Sequence, residues 1–275
     1  YLHPQGVKRL RQALAALSQK GFQVIYATHS PLMLSRENAA DAVIIRKDKA
    51  LGTFARLPLR HAVASTLDDA QAQSRTLFEL GNLAEIYFCD LVVLCEGKTE
   101  KRLLPLLYER LRGRHPELDQ VAFVAVGACS DIPKALAVLA AMGIQACGIA
   151  DLDFAFTEAR KGQKPMLPKD DETLARTKAA LKRLQPQHGY LLGGNELPTK
   201  DKNTGWQAAD TWAVFAQDAE GIEISASLHD ALLEQHVWIW KAGCIENVTG
   251  HDEKGEDAIL DQELAISTMD GVAIQ

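Results

Sequence analysis

Apolar positions recur along the chain in two periods. Between residues 4 and 20, Val7, Leu10, Leu14 and Leu17 fall three or four apart, which predicts a helix with one apolar face. Short apolar runs near 22–27, 42–46 and 53–57 predict strands. From Asp68 to Phe88 the helical spacing returns at Leu77, Leu80, Leu83 and Ala84, predicting a long helix that connects two parts of the chain. The pattern then alternates regularly: strand 91–95, helix 99–112, strand 121–126, helix 132–142, strand 145–150. Strands apolar on both faces, separated by helices, predict an α/β fold with a parallel sheet and right-handed crossovers.

After Asp153 the alternation stops. Residues 155–170 are rich in Lys, Gly and Pro and read as an exposed loop. Thr173 to Leu184 is helical by pattern, Gln185 to Gly205 is loop-like, and Trp206 to Gln217 predicts another helix. A helical insertion at about 155–235 is therefore expected beside the sheet. Trp206 and Trp212 are candidates for stacking on a base there, although packing within the insertion is the simpler role for both. The core resumes at His236-Val237-Trp238-Ile239-Trp240-Lys241, a strand ending in a cation.

Candidate chemistry sits at the ends of the apolar runs. Leu91-Val92-Val93-Leu94-Cys95 leads into Glu96-Gly97-Lys98-Thr99-Glu100, and Gly148-Ile149-Ala150 leads into Asp151-Leu152-Asp153. In an open parallel sheet such strand ends share one crevice. Glu100 falls in the first turn of the following helix and can face the same way as Glu96, while extended alternation would put Asp151 and Asp153 on one side with Leu152 turned away. Four carboxylates gathered there repel one another unless divalent cations neutralise them. An all-oxygen donor set suits Mg²⁺ or Mn²⁺, and two such ions can clamp the attacking and leaving oxygens of a phosphodiester.

The segment Tyr87-Phe88-Cys89-Asp90-Leu91-Val92-Val93-Leu94-Cys95-Glu96-Gly97-Lys98-Thr99-Glu100 resembles the Toprim domain of the OLD (overcoming lysogenization defect) family of nucleases, with likeness from about Leu77 to about Asn247. The resemblance implies a Toprim-type sheet flanked by helices and a DNA endonuclease that uses Mg²⁺ or Mn²⁺. Glu96, Glu100, Asp151 and Asp153 are implied as metal and catalytic carboxylates. Lys241-Ala242-Gly243-Cys244-Ile245-Glu246 is similar to a late family segment, implying that Lys241 assists at the scissile phosphate and that Glu246 adds a ligand or orients Lys241. On this reading Glu96, Asp151 and Asp153 hold one ion, and Glu100 with Glu246 helps hold the second. Val126-Gly127-Ala128-Cys129-Ser130-Asp131 departs from the more regular Gly-rich family segment: Gly127 fits a tight turn, and Ser130 or Asp131 can cap the next helix. Phe154-Ala155-Phe156 follows Asp153 where other Toprim families often carry a third acid, so two-metal occupancy is less firmly implied than one.

The start of the chain extends the likeness. Gln23-Val24-Ile25-Tyr26-Ala27-Thr28-His29-Ser30-Pro31 reads as a strand, a turn and a helix capped by Ser30, and resembles the switch-histidine segment of ABC-type ATPases. No G-x-x-x-x-G-K-[ST] loop occurs, so ATP hydrolysis by this chain is not expected. The expected organisation is a carboxy-terminal ATPase remnant at 1–66, a connecting helix at 67–88 and a Toprim nuclease domain at 89–275. The family likeness further implies a longer protein, oligomeric through its ATPase domain, with a role in phage defence or DNA processing and a helicase as a conceivable partner.

Composition adds constraints. No apolar stretch approaches the ~20 residues of a membrane span, so no membrane partner is expected. Five cysteines without a C-x-x-C pair read as reduced core thiols and a cytoplasmic location. A net charge of −6 speaks against simple nonspecific DNA binding, but acid is concentrated in the tail, at Asp252, Glu253, Glu256, Asp257, Asp261 and Glu263. These read as a solvated face, while bases cluster at Lys98, Lys101 and Arg102, at Arg110, Arg112 and Arg114, and between Arg160 and Lys202. Cleavage of RNA and a non-catalytic nucleic-acid-binding module remain open alternatives; a topoisomerase is disfavoured because no tyrosine stands in a nucleophile context.

Overall fold

A computed structural model describes residues 3–35, 37–50, 52–69, 72–73, 76, 84–162, 164–249 and 256–268. The chain divides into two compact units, one of Tyr1–Val92, Asp119–Ala122 and Lys134–Ala146, the other of Val93–Leu118, Phe123–Pro133 and Cys147–Gln275. Among the described residues no helix is long and apolar enough to cross a membrane.

In the first unit α1 (Pro4–Gln19) starts with proline at its first position and an N-cap bond from Gln5 N–H to His3 Nδ1 at 3.4 Å. The Arg11 guanidinium donates to the carbonyls of Leu32 and Leu34 at 3.0 and 2.8 Å. The strand expected at 22–27 does not form. A strand needs a paired neighbour, none stands beside it among the described residues, and Ile25 is 85% exposed. A short 3-10 turn follows at Pro31–Met33, and Ser30 makes no side-chain cap; its amide instead bonds Thr28 Oγ1 at 3.0 Å.

The two following strands pair as an antiparallel hairpin, β1 (Ile45–Asp48) with β2 (Gly52–Ala55). Helix α2 (Leu59–Thr66), unforeseen from sequence, buries Leu59, Ala62 and Val63 at helical spacing. Of the long helix expected over 68–88, Leu77, Leu80 and Leu83 lie outside the described residues, and Ala84–Tyr87 is a 3-10 turn.

The alternating segment forms β3 (Leu91–Cys95), α3 (Lys98–Arg112), β4 (Val121–Ala125), α4 (Ile132–Ala141) and β5 (Gln145–Ala150). With β8 (Val237–Ile239) these strands make a four-stranded sheet in the order β4-β3-β5-β8. Strands β5 and β8 run parallel, with Gly148 opposite Val237 and Ala150 opposite Ile239. From β3 the chain moves to β4 on one side, then returns to β5 on the other. The order therefore reverses between β3 and β5, and their carboxyl ends flank the crevice where open α/β sheets bind ligands.

Between β5 and β8 lies the helical insertion: α5 (Glu172–His188), the short pair β6 (Leu191–Leu192) and β7 (Pro198–Thr199), α6 (Ala208–Gln217) and α7 (Ala219–Leu233). The first half of the expected exposed loop at 155–170 is instead core. Ala155, Phe156, Ala159 and Arg160 are buried in 3-10 turns at Leu152–Phe156 and Glu158–Arg160. Phe156 stacks on Trp212, with ring centroids 4.5 Å apart and planes 7° from parallel. Trp212 is 4% exposed, so it packs the insertion and is not a base platform.

The chain ends in α8 (Ile245–Thr249) and α9 (Glu256–Thr268). Asp252 and Glu253 lie outside the described residues. Helix α9 packs on α3, and Glu263, expected on a solvated face, pairs with Arg102 at 2.9 Å.

Candidate active site

Strand β3 delivers Glu96 to the crevice because Val92 to Cys95 are buried and hold the strand in the core. Val126 N–H donates to Cys95 O and Gly127 N–H to Glu96 O, both at 2.9 Å, which fixes the backbone past the strand ends. Gly127 has φ +87°, a turn conformation that favours glycine. Gly97 adopts no such conformation. Its φ of −128° is ordinary extended backbone, but a Cβ there would meet Glu100 Oε2 at 3.1 Å. That oxygen accepts the Gly97 N–H at 3.1 Å, so Glu100 caps its own helix at the positive end.

At the end of β5 the chain turns sooner than the extended alternation implied. Asp151 is still extended, at φ −70° and ψ 161°, and Leu152 to Phe156 form a 3-10 helix. Leu152 is fully buried while Asp151 and Asp153 remain half-buried, so the apolar side chain anchors the turn between the two acids. Trp240 N–H donates to Ala150 O at 3.1 Å and Leu152 N–H to Gly243 O at 2.7 Å. The turn after β8 is thereby laced to the end of β5, bringing the segment Lys241 to Glu246 next to Asp151. Lys241 itself is exposed, and Glu246 is half-buried in the first turn of α8.

The electrostatics report the gathering of the acids. The Asp151 carboxyl is held well above the usual carboxylate range by desolvation and by the neighbouring charges of Asp153, Glu100, Glu246 and Glu96. The Cys129 thiol is pushed up to about 12 by burial and by Glu96, Asp153 and Glu158. Burial, Glu246 and Asp151 push Cys244 up to about 12 as well. The structure thus brings Glu96, Glu100, Asp151, Asp153 and Glu246 into one neighbourhood. Two thiols border it, which sequence reading had placed only among core cysteines; both are free. Asp131, expected as a helix cap, is buried at 3% exposure in the 3-10 turn Cys129–Asp131.

Among the described residues no group of three or more His, Cys, Asp or Glu is already drawn together as a metal-binding set. By donor chemistry the carboxylates nevertheless fit a hard divalent cation: all are oxygen donors, and a positive charge would relieve the repulsion that raises the proton affinity of Asp151. Beside Glu246 opens a cavity of about 580 Å³, lined by Cys244, Glu246 and Asn247 and by Lys200, Gln207 and the first turn of α6. Sequence reading placed Lys200 only in a broad basic stretch, because a lysine in a loop carries no spacing signal.

Comparison with known proteins agrees with this arrangement. Residues 87–153 match the family described as overcoming lysogenization defect protein-like, TOPRIM domain. The chain is also similar to the Old nuclease of Escherichia phage P2, at 29% identity over 263 residues. That alignment covers 95% of this chain and 44% of the phage protein, so the chain spans less than half the length of this relative. The matched segment contains β3, β5 and the first four acids of the crevice, so residues 87–153 are similar to the OLD-like TOPRIM domain and the chain as a whole is similar to an OLD-type nuclease.

Proposed function

We propose that this chain is a divalent-metal-dependent DNA endonuclease, the nuclease part of a longer protein whose ATPase domain ends within residues 1–66. The observation that carries the reading is Asp151: a carboxyl at a sheet switch point, surrounded by four more carboxylates that raise its proton affinity. Such a site is unfavourable without a cation and favourable with one. The nuclease named among its relatives supports the reaction class.

Glu96, Asp151 and Asp153 would hold Mg²⁺ or Mn²⁺, with Glu100 and Glu246 available to a second ion. A bound ion supplies charge neutralisation at the phosphate and a more acidic water. The chain's own residues then orient the reaction. Glu100, tied to Gly97, can offer only its second oxygen outward. Lys241, on the turn laced to Leu152, would stabilise the phosphorane charge with its ammonium and protonate the leaving oxygen. The water oxygen would bond to phosphorus and give up a proton to a crevice carboxylate, while the phosphorus–oxygen ester bond breaks and the leaving oxygen takes a proton from Lys241 Nζ.

The test is nicking of supercoiled plasmid with Mg²⁺, Mn²⁺ or EDTA, for wild type, Glu96→Gln and Lys241→Ala. Metal-dependent nicking lost in both variants supports the reading. Cleavage of an RNA in preference to DNA would reassign the substrate, and tight binding without cleavage under any ion would favour a non-catalytic module.

A further inference from the structure

The cavity beside Glu246 is used by none of the chemistry above. Its volume, about 580 Å³, is in the range that holds a small ligand or one unit of a polymer. At one wall stands Glu246, whose charge reaches Asp151 and hence the candidate metal carboxylates. Another wall carries Lys200, an exposed cation on the loop after β7. Two carboxamides, Gln207 and Asn247, share the lining. Each amide nitrogen donates one hydrogen within the chain, Gln207 Nε2 to Gly205 O and Asn247 Nδ2 to Ala242 O at 2.8 Å, which leaves each a second N–H to offer a ligand. Ala209, also in the lining, adds no bulk.

We infer that this cavity receives one nucleotide of the DNA strand next to the scissile phosphate, with Lys200 on its phosphate and the two carboxamides on the edge of its base. The inference rests on the nuclease reading and adds a substrate-positioning site to it. The mixture of groups selects the ligand class. A bare polyanion would be repelled by Asp210 and Glu246, which share the lining, whereas a nucleotide presents its phosphate and base edge at opposite ends. Asp210 is partly occupied, since its Oδ2 accepts the Gln207 N–H at 2.7 Å. Glu246 belongs both to the lining and to the carboxylates that act on Asp151, so a nucleotide seated here would adjoin the acids.

The experiment measures binding apart from cleavage. Anisotropy of a short fluorescein-labelled single-stranded DNA is titrated in Ca²⁺ at several salt concentrations, with the full chain as wild type, Lys200→Ala, Lys200→Arg, Ala209→Trp and Lys202→Ala. Lys202 is exposed and does not line the cavity. Lys200→Ala is expected to weaken binding about tenfold at low salt and to lower the salt slope by ~0.7, one phosphate contact of a single strand. Lys200→Arg should restore the slope, Ala209→Trp should weaken binding by filling the cavity, and Lys202→Ala should leave it unchanged. Equal affinities and slopes for wild type, Lys200→Ala and Ala209→Trp would overturn the inference. If Lys200 governs binding while plasmid nicking fails under every ion, the nuclease reading falls and the nucleotide site stands. Nicking that proceeds with no effect of Lys200 or Ala209 removes the site alone.

Discussion

The amide of Leu152 donates to the carbonyl of Gly243 at 2.7 Å, joining the turn between the two aspartates to the turn that carries Lys241. Together with the bond from Trp240 N–H to Ala150 O, it brings the ends of two strands distant in sequence side by side. Gly243 is suited to its position for two reasons. Its φ of +115° is one that side chains rarely adopt, and a Cβ would stand 2.5 Å from Asn247 Nδ2.

Gly243→Ala is therefore expected to destabilise the chain by about 1–3 kcal/mol, the usual cost of a strained backbone position. Because the strained turn bears Lys241, nicking should fall by more than the folded fraction does. Urea unfolding and plasmid nicking on the same preparation check this. Unchanged activity per folded molecule would show that the turn does not position the site.

Asp151 makes stability depend on pH. Its carboxyl holds a proton more tightly folded than unfolded, so it contributes most below the ordinary carboxylate pKa of 3.8. That contribution is lost as pH rises through the higher folded value. In EDTA, wild type should lose stability relative to Asp151→Asn as pH increases from acid towards neutral, because the amide cannot ionise. Added Mg²⁺ should reverse the loss in wild type and have less effect on the variant. Thermal unfolding across pH, with and without the ion, reads both effects.

Glu100 tests capping against ligation. Glu100→Gln keeps an oxygen for the Gly97 N–H, whereas Glu100→Ala removes it. The alanine variant should lose about 0.5–2 kcal/mol of stability, within the range for helix caps, and the glutamine variant much less. If the carboxylate also serves an ion, both should lose Mg²⁺-dependent nicking. Loss confined to the alanine variant would reduce Glu100 to a cap.

The sheet and its acids were legible from sequence because continuous apolar strands separated by amphipathic helices permit few other arrangements. Residues 91–95 and 145–150 became β3 and β5 with those bounds. The elements that escaped lacked a clean pattern. Helix α7 buries Gly221, Ile224, Ser225, Leu228, His229 and Leu232 at helical spacing, but glycine, serine and histidine on that face hid it. Gly221 is there because a Cβ would run into the Phe215 carbonyl. At 22–27 the apolar run was read as a buried strand, yet its side chains are mostly exposed: composition marks a capacity to pair, and pairing needs a neighbour. The acids of the crevice were legible as strand-end residues. The bond from Leu152 to Gly243 was not, since backbone partners between distant segments leave no mark on either.

The two tryptophans of the insertion separate packing from recognition. Trp212 stacks on Phe156 and meets Phe215 edge-on at 5.7 Å, within the core that follows Asp153. Trp212→Ala should cost about 3–5 kcal/mol, as for other buried aromatics, and should weaken nicking only through loss of that support. Trp206 is half-buried and donates its indole N–H to Thr211 Oγ1 at 2.9 Å. Its removal should cost only about 1 kcal/mol, the net worth of one hydrogen bond. If Trp206→Ala lowers affinity for single-stranded DNA in a sample that is still fully folded, a base stacks on this ring. If Trp212→Ala did so while leaving urea unfolding unchanged, the assignment of Trp212 to the core would be wrong.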